Sequence, residues 1–296
     1  MTLAVPPDVP ELFPMQSMIV LQSLWSMERR HPDGFEPPLE ESVERIARAG
    51  FDGLSAHWYD DAAVRPIVDA MRQSGITAVE GMCFPTSVES LKPALETASL
   101  FPVHHLNIQP DVRPRRLNEA VGLVEGWMRL AEEVDFPVYI ETHRGRLTND
   151  LLFTLDLLDE IPDMPLLADL SHYLVGREIE LPVSDENQAM IERILEHSWA
   201  FHGRVGTCEQ VQIEISFPHH APWIELFRGW WDYGFRSWRR RAETGDIMSF
   251  TCELGPRPYA ITNRDGEDTT ERWAESMQMR DIALDIWART EQPGSS

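Results

Sequence analysis

Short runs rich in β-branched and aromatic residues recur along the chain, separated by longer stretches in which apolar side chains return every three or four positions. A strand turns alternate residues to opposite faces and a helix repeats about every 3.6, so the two patterns can be told apart. The short runs predict eight strands, at 18–24, 51–57, 76–82, 103–109, 138–141, 166–169, 199–202 and 247–253. Helices are predicted at 40–49, 62–73, 87–99, 117–133, 148–158, 186–197, 222–240 and 269–289. Thr148-Asn149-Asp150 ahead of Leu151-Leu152 reads as an N-cap, and Ala49-Gly50 and Ser74-Gly75 read as helix ends. Strands that alternate with helices pair in parallel through right-handed crossovers. Eight such units predict an α/β chain closed into a single (β/α)8 TIM barrel, with a doubly wound open sheet as the alternative. The barrel is expected over 16–290, between an N-terminal arm at 1–15 and a flexible tail at 291–296. The longest stretches with neither period, 177–186 and 207–221, follow the sixth and seventh strands, where loops rim the functional face of a barrel.

Charge narrows the choice of partner. The 49 acidic residues against 26 basic ones leave a net charge of −23, a field that repels a phosphate backbone or an anionic bilayer. The densest basic run, Arg236 to Arg241, falls on a predicted helix and reads as a solvated face or a subunit contact that would suit a homodimer. No apolar run approaches the roughly 18 residues of a membrane span. Neither nucleic acid nor membrane is therefore expected as a partner, and a small molecule is. Cys83, Cys208 and Cys252 are far apart and form no CxxC pair, which suits a reducing compartment. The start shows neither a basic n-region nor an apolar h-region, so the cytoplasm is the expected location. Lys92 is the only lysine and lies at the start of a predicted helix, which excludes imine chemistry.

In a barrel the C-terminal ends of the strands converge on one mouth. The fifth strand ends Glu141-Thr142-His143-Arg144, with Glu141 and His143 on one face, and the sixth ends Asp169-Leu170-Ser171-His172. The seventh ends His202-Gly203-Arg204, and the eighth Cys252-Glu253-Leu254-Gly255. Glu141, Asp169, His202 and Glu253 are thus expected together. Three carboxylates so placed raise one another's pKa unless a cation neutralises them. With one imidazole they suit a single Mn²⁺, Mg²⁺, Co²⁺ or Zn²⁺. Each residue taken singly is equally a solvated polar group where strand meets loop. On the second strand His57 precedes Trp58, and on the fourth His105, Asn107 and Gln109 share a face, as a polyhydroxylated ligand requires. Buried His105 and Asn107 would also serve as satisfied core groups. Gly53 and Ser55 would leave room inside the barrel. Arg144, Arg146 and Arg204 could hold a phosphate or carboxylate, or Arg204 could orient a metal-bound carboxylate.

Glu141-Thr142-His143-Arg144-Gly145-Arg146, Ala168-Asp169-Leu170-Ser171-His172, Phe201-His202-Gly203-Arg204 and Glu253-Leu254-Gly255-Pro256 together resemble the xylose-isomerase-like TIM barrel superfamily of sugar phosphate isomerases and epimerases. The resemblance spans roughly 18–289 and implies Glu141, Asp169, His202 and Glu253 as ligands of one divalent ion, Mn²⁺ before Mg²⁺, Co²⁺ or Zn²⁺. It implies a substrate contact from His172, and proton transfer by Glu141 and Glu253 on opposite faces of a carbohydrate through an enediolate. Substrate-binding roles are then expected for His57, His105, Asn107, His143, Arg144 and Arg204. Xylose isomerase proper resembles a two-metal enzyme with a site lysine, which this chain lacks. Relatives of similar motif act as lyases or dehydratases on keto-sugars, including C-glycoside cleavage after oxidation. Trp223, Trp230, Trp231 and Trp238 would favour such an aryl-bearing substrate, unless they pack the core behind their helix. Apurinic endonuclease IV shares the fold but resembles a three-metal, histidine-rich site, and a non-catalytic barrel subunit would not need both glutamates.

Overall fold

The computed structural model describes residues 15–290. Of the two flanking segments expected from the sequence, 291–296 and all of 1–15 except Met15 lie outside them. Eight parallel strands close in sequence order: β1 (Ser17–Ser23), β2 (Gly53–His57), β3 (Ala78–Cys83), β4 (His105–Ile108), β5 (Val138–Glu141), β6 (Leu166–Ala168), β7 (Ser198–Gly203) and β8 (Ile247–Cys252). β8 pairs with β1 through Leu21 opposite Thr251 and so completes the barrel, which excludes the open sheet. Around it run α1 (Leu39–Arg48), α2 (Asp61–Ser74), α3 (Lys92–Leu100), α4 (Leu117–Ala131), α5 (Leu151–Glu160), α6 (Ser171–Gly176), α7 (Asp185–Glu196), α8 (Ala221–Arg241) and α9 (Arg272–Thr290). None of these helices is long and apolar enough to cross a membrane.

The helix ends follow local chemistry. Asp60, Asp150 and Ser184 each accept a bond from a backbone N–H in the first turn of α2, α5 and α7. Gly75 closes α2 at φ +76°, in the left-handed region where only glycine is unstrained. The sequence pattern did not anticipate α6; it occupies the stretch just after Asp169-Leu170 and carries His172 in its first turn.

The main apolar core lies outside the barrel, between sheet and helices. Val20, Leu54, Val79, Leu106, Ile140, Phe201 and Phe250 turn outward and pack among Val43, Ile46, Val124, Leu155, Ile194, Trp231, Phe235 and Ile282. Trp230, Trp231 and Trp238 are fully buried in this shell and stabilise the fold, while Trp223 packs half-buried against it. Arg241 donates to Ser198 O at the start of β7, which puts the basic end of α8 at the face opposite the strand C-termini. Gly53 serves a close approach between strands: a Cβ there would come within 2.1 Å of Ala78 O. The room attributed to it from sequence is therefore taken by the neighbouring backbone.

The lumen, by contrast, is polar. Strand alternation and the pairing register turn Glu80, His105, Asn107, Glu141, His202, Ser249 and Thr251 inward, all of them buried. Burying so many polar groups costs several kcal/mol unless each finds a partner, and the partners they find define the site.

A candidate metal centre in the barrel

Glu141 ends β5, Asp169 follows β6, His202 lies in β7 and Glu253 follows β8; one ligand atom from each falls within 4.8 Å of the others. All four are buried. Glu141 Oε2 accepts from Asn107 Nδ2 at 2.5 Å and Gln109 Nε2 at 2.8 Å, while its Oε1 has no partner. Asp169 Oδ1 accepts from Ser171 N and Oγ at 3.0 and 2.6 Å. Arg204 spans the gap between strands, donating through Nε to Asp169 Oδ2 at 3.0 Å and through Nη2 to Glu253 Oε2 at 2.5 Å. Its Nη1 reaches Gln212, whose amide in turn bonds both N and O of Gly255 and so fixes the loop after β8.

His202 is held by a residue that sequence reasoning did not single out. Glu80 Oε1, on β3, sits 2.9 Å from His202 Nε2 and also accepts from Asn107 at 3.1 Å, while Glu80 Oε2 accepts from Thr251 Oγ1 at 2.6 Å. A carboxylate at Nε2 makes that nitrogen a proton carrier and turns Nδ1 toward Glu253 and Glu141, 3.0 and 3.8 Å away. Nδ1 has no hydrogen-bond partner. The only signal in sequence was one carboxylate on the inward face of an apolar strand, Ala78-Val79-Glu80-Gly81-Met82. Glu80→Gln is expected to weaken divalent-ion affinity by about 10- to 100-fold, because an amide neither fixes the tautomer nor strengthens the ligand. Calorimetric titration with Mn²⁺ measures it, and an unchanged affinity would reduce Glu80 to a packing group.

The electrostatics follow from burial and these pairings. Burial opposes ionisation of Glu253, yet Arg204 and His202 outweigh it and hold its carboxyl below the ordinary range. Burial, together with Glu253 and Asp169, drives Glu141 well above that range despite His202. For His202 burial disfavours the charge, but Glu80, Glu253 and Glu141 prevail and raise it well above normal. His172 is driven the other way by burial, then by His143 and Arg204, and is a neutral imidazole. Arg204 meets only Asp169 and Glu253 of the four carboxyls, while Glu80 and Glu141 lie beside His202. Three carboxylates and an imidazole, with Glu141 Oε1 and His202 Nδ1 unpartnered, fit a hard or borderline divalent cation.

Above these groups opens a cavity of about 680 Å³, bordered by Glu253, Arg204, His143, Gln109 and His57. Apolar side chains stand among them, Leu24, Trp25, Met27, Leu39, Ile67, Phe84 and Tyr259, with Trp25 and Tyr259 against the Arg204 guanidinium, and Glu28, Arg30 and Glu36 add charge to the rim. Gly255 admits the Trp25 ring, since a Cβ at that position would lie 2.3 Å from it. Of the residues expected to bind substrate, His57, His143 and Arg204 border this cavity, whereas His105 and Asn107 face inward a layer too deep, fully buried against Glu80. His172 is buried behind His143, and Arg144 is exposed over the ring of Tyr259. Arg146 borders the cavity but is paired with Asp111 at 2.6 Å. Gln109, expected on the face of His105, contributes both to Glu141 and to the wall.

The architecture of this barrel matches solved structures that share little sequence with it. One is a xylose isomerase-like TIM barrel protein from Mycobacterium smegmatis in complex with magnesium, with 11% identity over 92% of this chain and 100% of that one, at a TM-score of 0.60. A sugar phosphate isomerase/epimerase from Parabacteroides distasonis matches over 94% of this chain and 96% of its own, with 12% identity and a TM-score of 0.56. This chain has the fold of the xylose-isomerase-like TIM barrels. The same fold extends to an AP endonuclease, family 2, from Brucella melitensis, with 16% identity over 81% of this chain and 94% of that one, at a TM-score of 0.51. No protein-family model and no curated protein matches the sequence. Within this xylose-isomerase-like barrel, the buried Glu/Asp/His cluster lies at the C-terminal ends of four consecutive strands, the face where barrels of every chemistry build their sites.

Proposed function

We propose that the chain is a divalent-metal-dependent isomerase or epimerase that moves a proton next to the carbonyl of a sugar or keto-sugar. The observation that carries this reading is the convergence of Glu141, Asp169, His202 and Glu253 beneath a cavity that Glu253 itself borders. When bound by these four residues, Mn²⁺ or a similar ion supplies Lewis-acid polarisation of the carbonyl and charge compensation for an enediolate. The protein supplies the proton handling. Arg204 keeps Glu253 ionised at the cavity wall, where it serves as base, and Glu141, deeper in the barrel, is the second carboxyl of the pair. His57, Gln109 and His143 offer hydrogen bonds to hydroxyls along the same wall. The magnesium in the Mycobacterium smegmatis relative and the isomerase/epimerase description of the Parabacteroides distasonis one support the assignment by analogy of fold.

The test is incubation of Mn²⁺-loaded protein with a panel of ketoses, aldoses and their phosphates in D₂O, read by NMR. Deuterium entering the carbon beside the carbonyl supports the reading, and its position separates epimerisation from isomerisation. A panel without exchange overturns it.

The apolar side chains of the cavity favour a second reading, a lyase that expels a substituent from a keto-glycoside. Trp25, Phe84 and Tyr259, with Leu24, Met27 and Leu39, suit a flat apolar aglycone. Release of the aglycone from an oxidised aryl C-glycoside, followed by absorbance, separates this reading from the first. Action on DNA is disfavoured, because the net charge of −23 repels phosphate and the basic run of α8 ends on the face away from the site.

A further inference from the structure

A second cluster of ligand-type residues adjoins the first. Glu141, His143 and His172 bring one ligand atom each within 4.8 Å of the others. His143 stands two residues beyond Glu141, on the same face of the chain leaving β5, and His172 rises from the first turn of α6. The two imidazoles face each other with ring centroids 3.9 Å apart.

The hydrogen-bond inventory leaves this cluster unfinished. His172 is fully buried, and among the described residues neither of its ring nitrogens has a hydrogen-bond partner; its Nε2 lies 3.5 Å from Asp169 Oδ2. Glu141 Oε1 is equally without a partner, while Oε2 is occupied by the amides of Asn107 and Gln109. His143 Nδ1 lies 2.5 Å from the Arg144 carbonyl, which must accept, so Nδ1 carries the proton and Nε2 keeps its lone pair. Thr148 holds this strand end in place, donating through Oγ1 to Glu141 O at 2.5 Å and accepting from His143 N at 3.1 Å. A buried imidazole with two idle nitrogens is costly and uncommon.

We propose that Glu141, His143 and His172 form a second divalent-cation position, bridged to the first by the Glu141 carboxylate. Two imidazole nitrogens and one carboxylate oxygen favour a borderline ion such as Zn²⁺, Co²⁺ or Mn²⁺ over Mg²⁺. His143 borders the large cavity and gives an ion its way in. A cation held there fixes Glu141 as a bridge and leaves Glu253 as the carboxylate at the cavity free to move a proton. The proposal rests on the reading that the first cluster also holds metal, and the experiment separates the two.

Chelator-stripped full-length protein is titrated with Mn²⁺, with bound ion counted by equilibrium dialysis and followed by electron paramagnetic resonance. Two ions per chain are expected, with a spin-coupled spectrum from the shared carboxylate. His143→Ala is expected to bind one ion and to give an uncoupled spectrum. His172→Asn, which keeps a polar group in the buried position, is expected to do the same. One ion in the wild type, or two retained in both variants, overturns the second position and leaves the first standing. No ion in the wild type overturns both.

Discussion

Replacing His202 by alanine is expected to cost the protein its tightly held divalent ion and to lower its unfolding midpoint even when both proteins are metal-free. His202 is the only imidazole in the four-residue cluster, and its Nδ1 is the unpartnered nitrogen turned toward Glu253 and Glu141. Its removal also leaves the buried Glu80 carboxylate without its imidazole, with Asn107 and Thr251 as its remaining donors. Breaking a buried pair by deleting one member costs about 3–5 kcal/mol, which for a domain of this size corresponds to a drop on the order of 10 °C. Metal content by plasma mass spectrometry and a melting curve on chelated samples measure the two effects separately. A variant that kept its ion would remove His202 from the ligand set. One that lost the ion but melted like the wild type would show that Glu80 does not depend on the imidazole.

Glu80 also shows where sequence reasoning stopped. Reading the last polar residue of each strand brought Glu141, Asp169, His202 and Glu253 to the barrel mouth, and those four ends do converge. Glu80 obeys strand alternation but lies mid-strand, and its partner His202 is 122 residues away, a distance no local pattern bridges. Depth was equally hidden: His105, Asn107 and Gln109 do share a face, yet only Gln109 is high enough to border the cavity. Alternation reports a face and carries no height above the barrel floor. The six residues of α6 are too few to show helical periodicity. The apolar side chains of the cavity escaped for a related reason, because Phe84 and Tyr259 lie in loops and Trp25 in a three-residue 3-10 helix, too short for a period to be read. The tryptophans of α8, which do follow a helical period, pack the core as that period implies.

Glu253→Gln is expected to abolish proton exchange between substrate and solvent while leaving the fold intact. The substitution keeps the volume of the side chain and an amide oxygen to accept from Arg204, so the bridge from Arg204 to Asp169 and Gln212 persists. What it removes is the carboxylate that Arg204 and His202 hold ionised at the cavity wall. Loss of a positioned base slows a reaction by about 10²- to 10⁴-fold, and with Mn²⁺ at saturation any weakening of the metal site is kept apart from that loss. The decisive comparison is the rate of deuterium incorporation from D₂O in wild type and variant, on whichever keto-sugar the panel identifies. A variant exchanging at nearly the wild-type rate would move the base to another cavity-lining group able to take a proton, such as His57, His143, Glu28 or Glu36. A variant inactive toward exchange but still expelling an aryl substituent would mean that the leaving group departs without Glu253 acting as base.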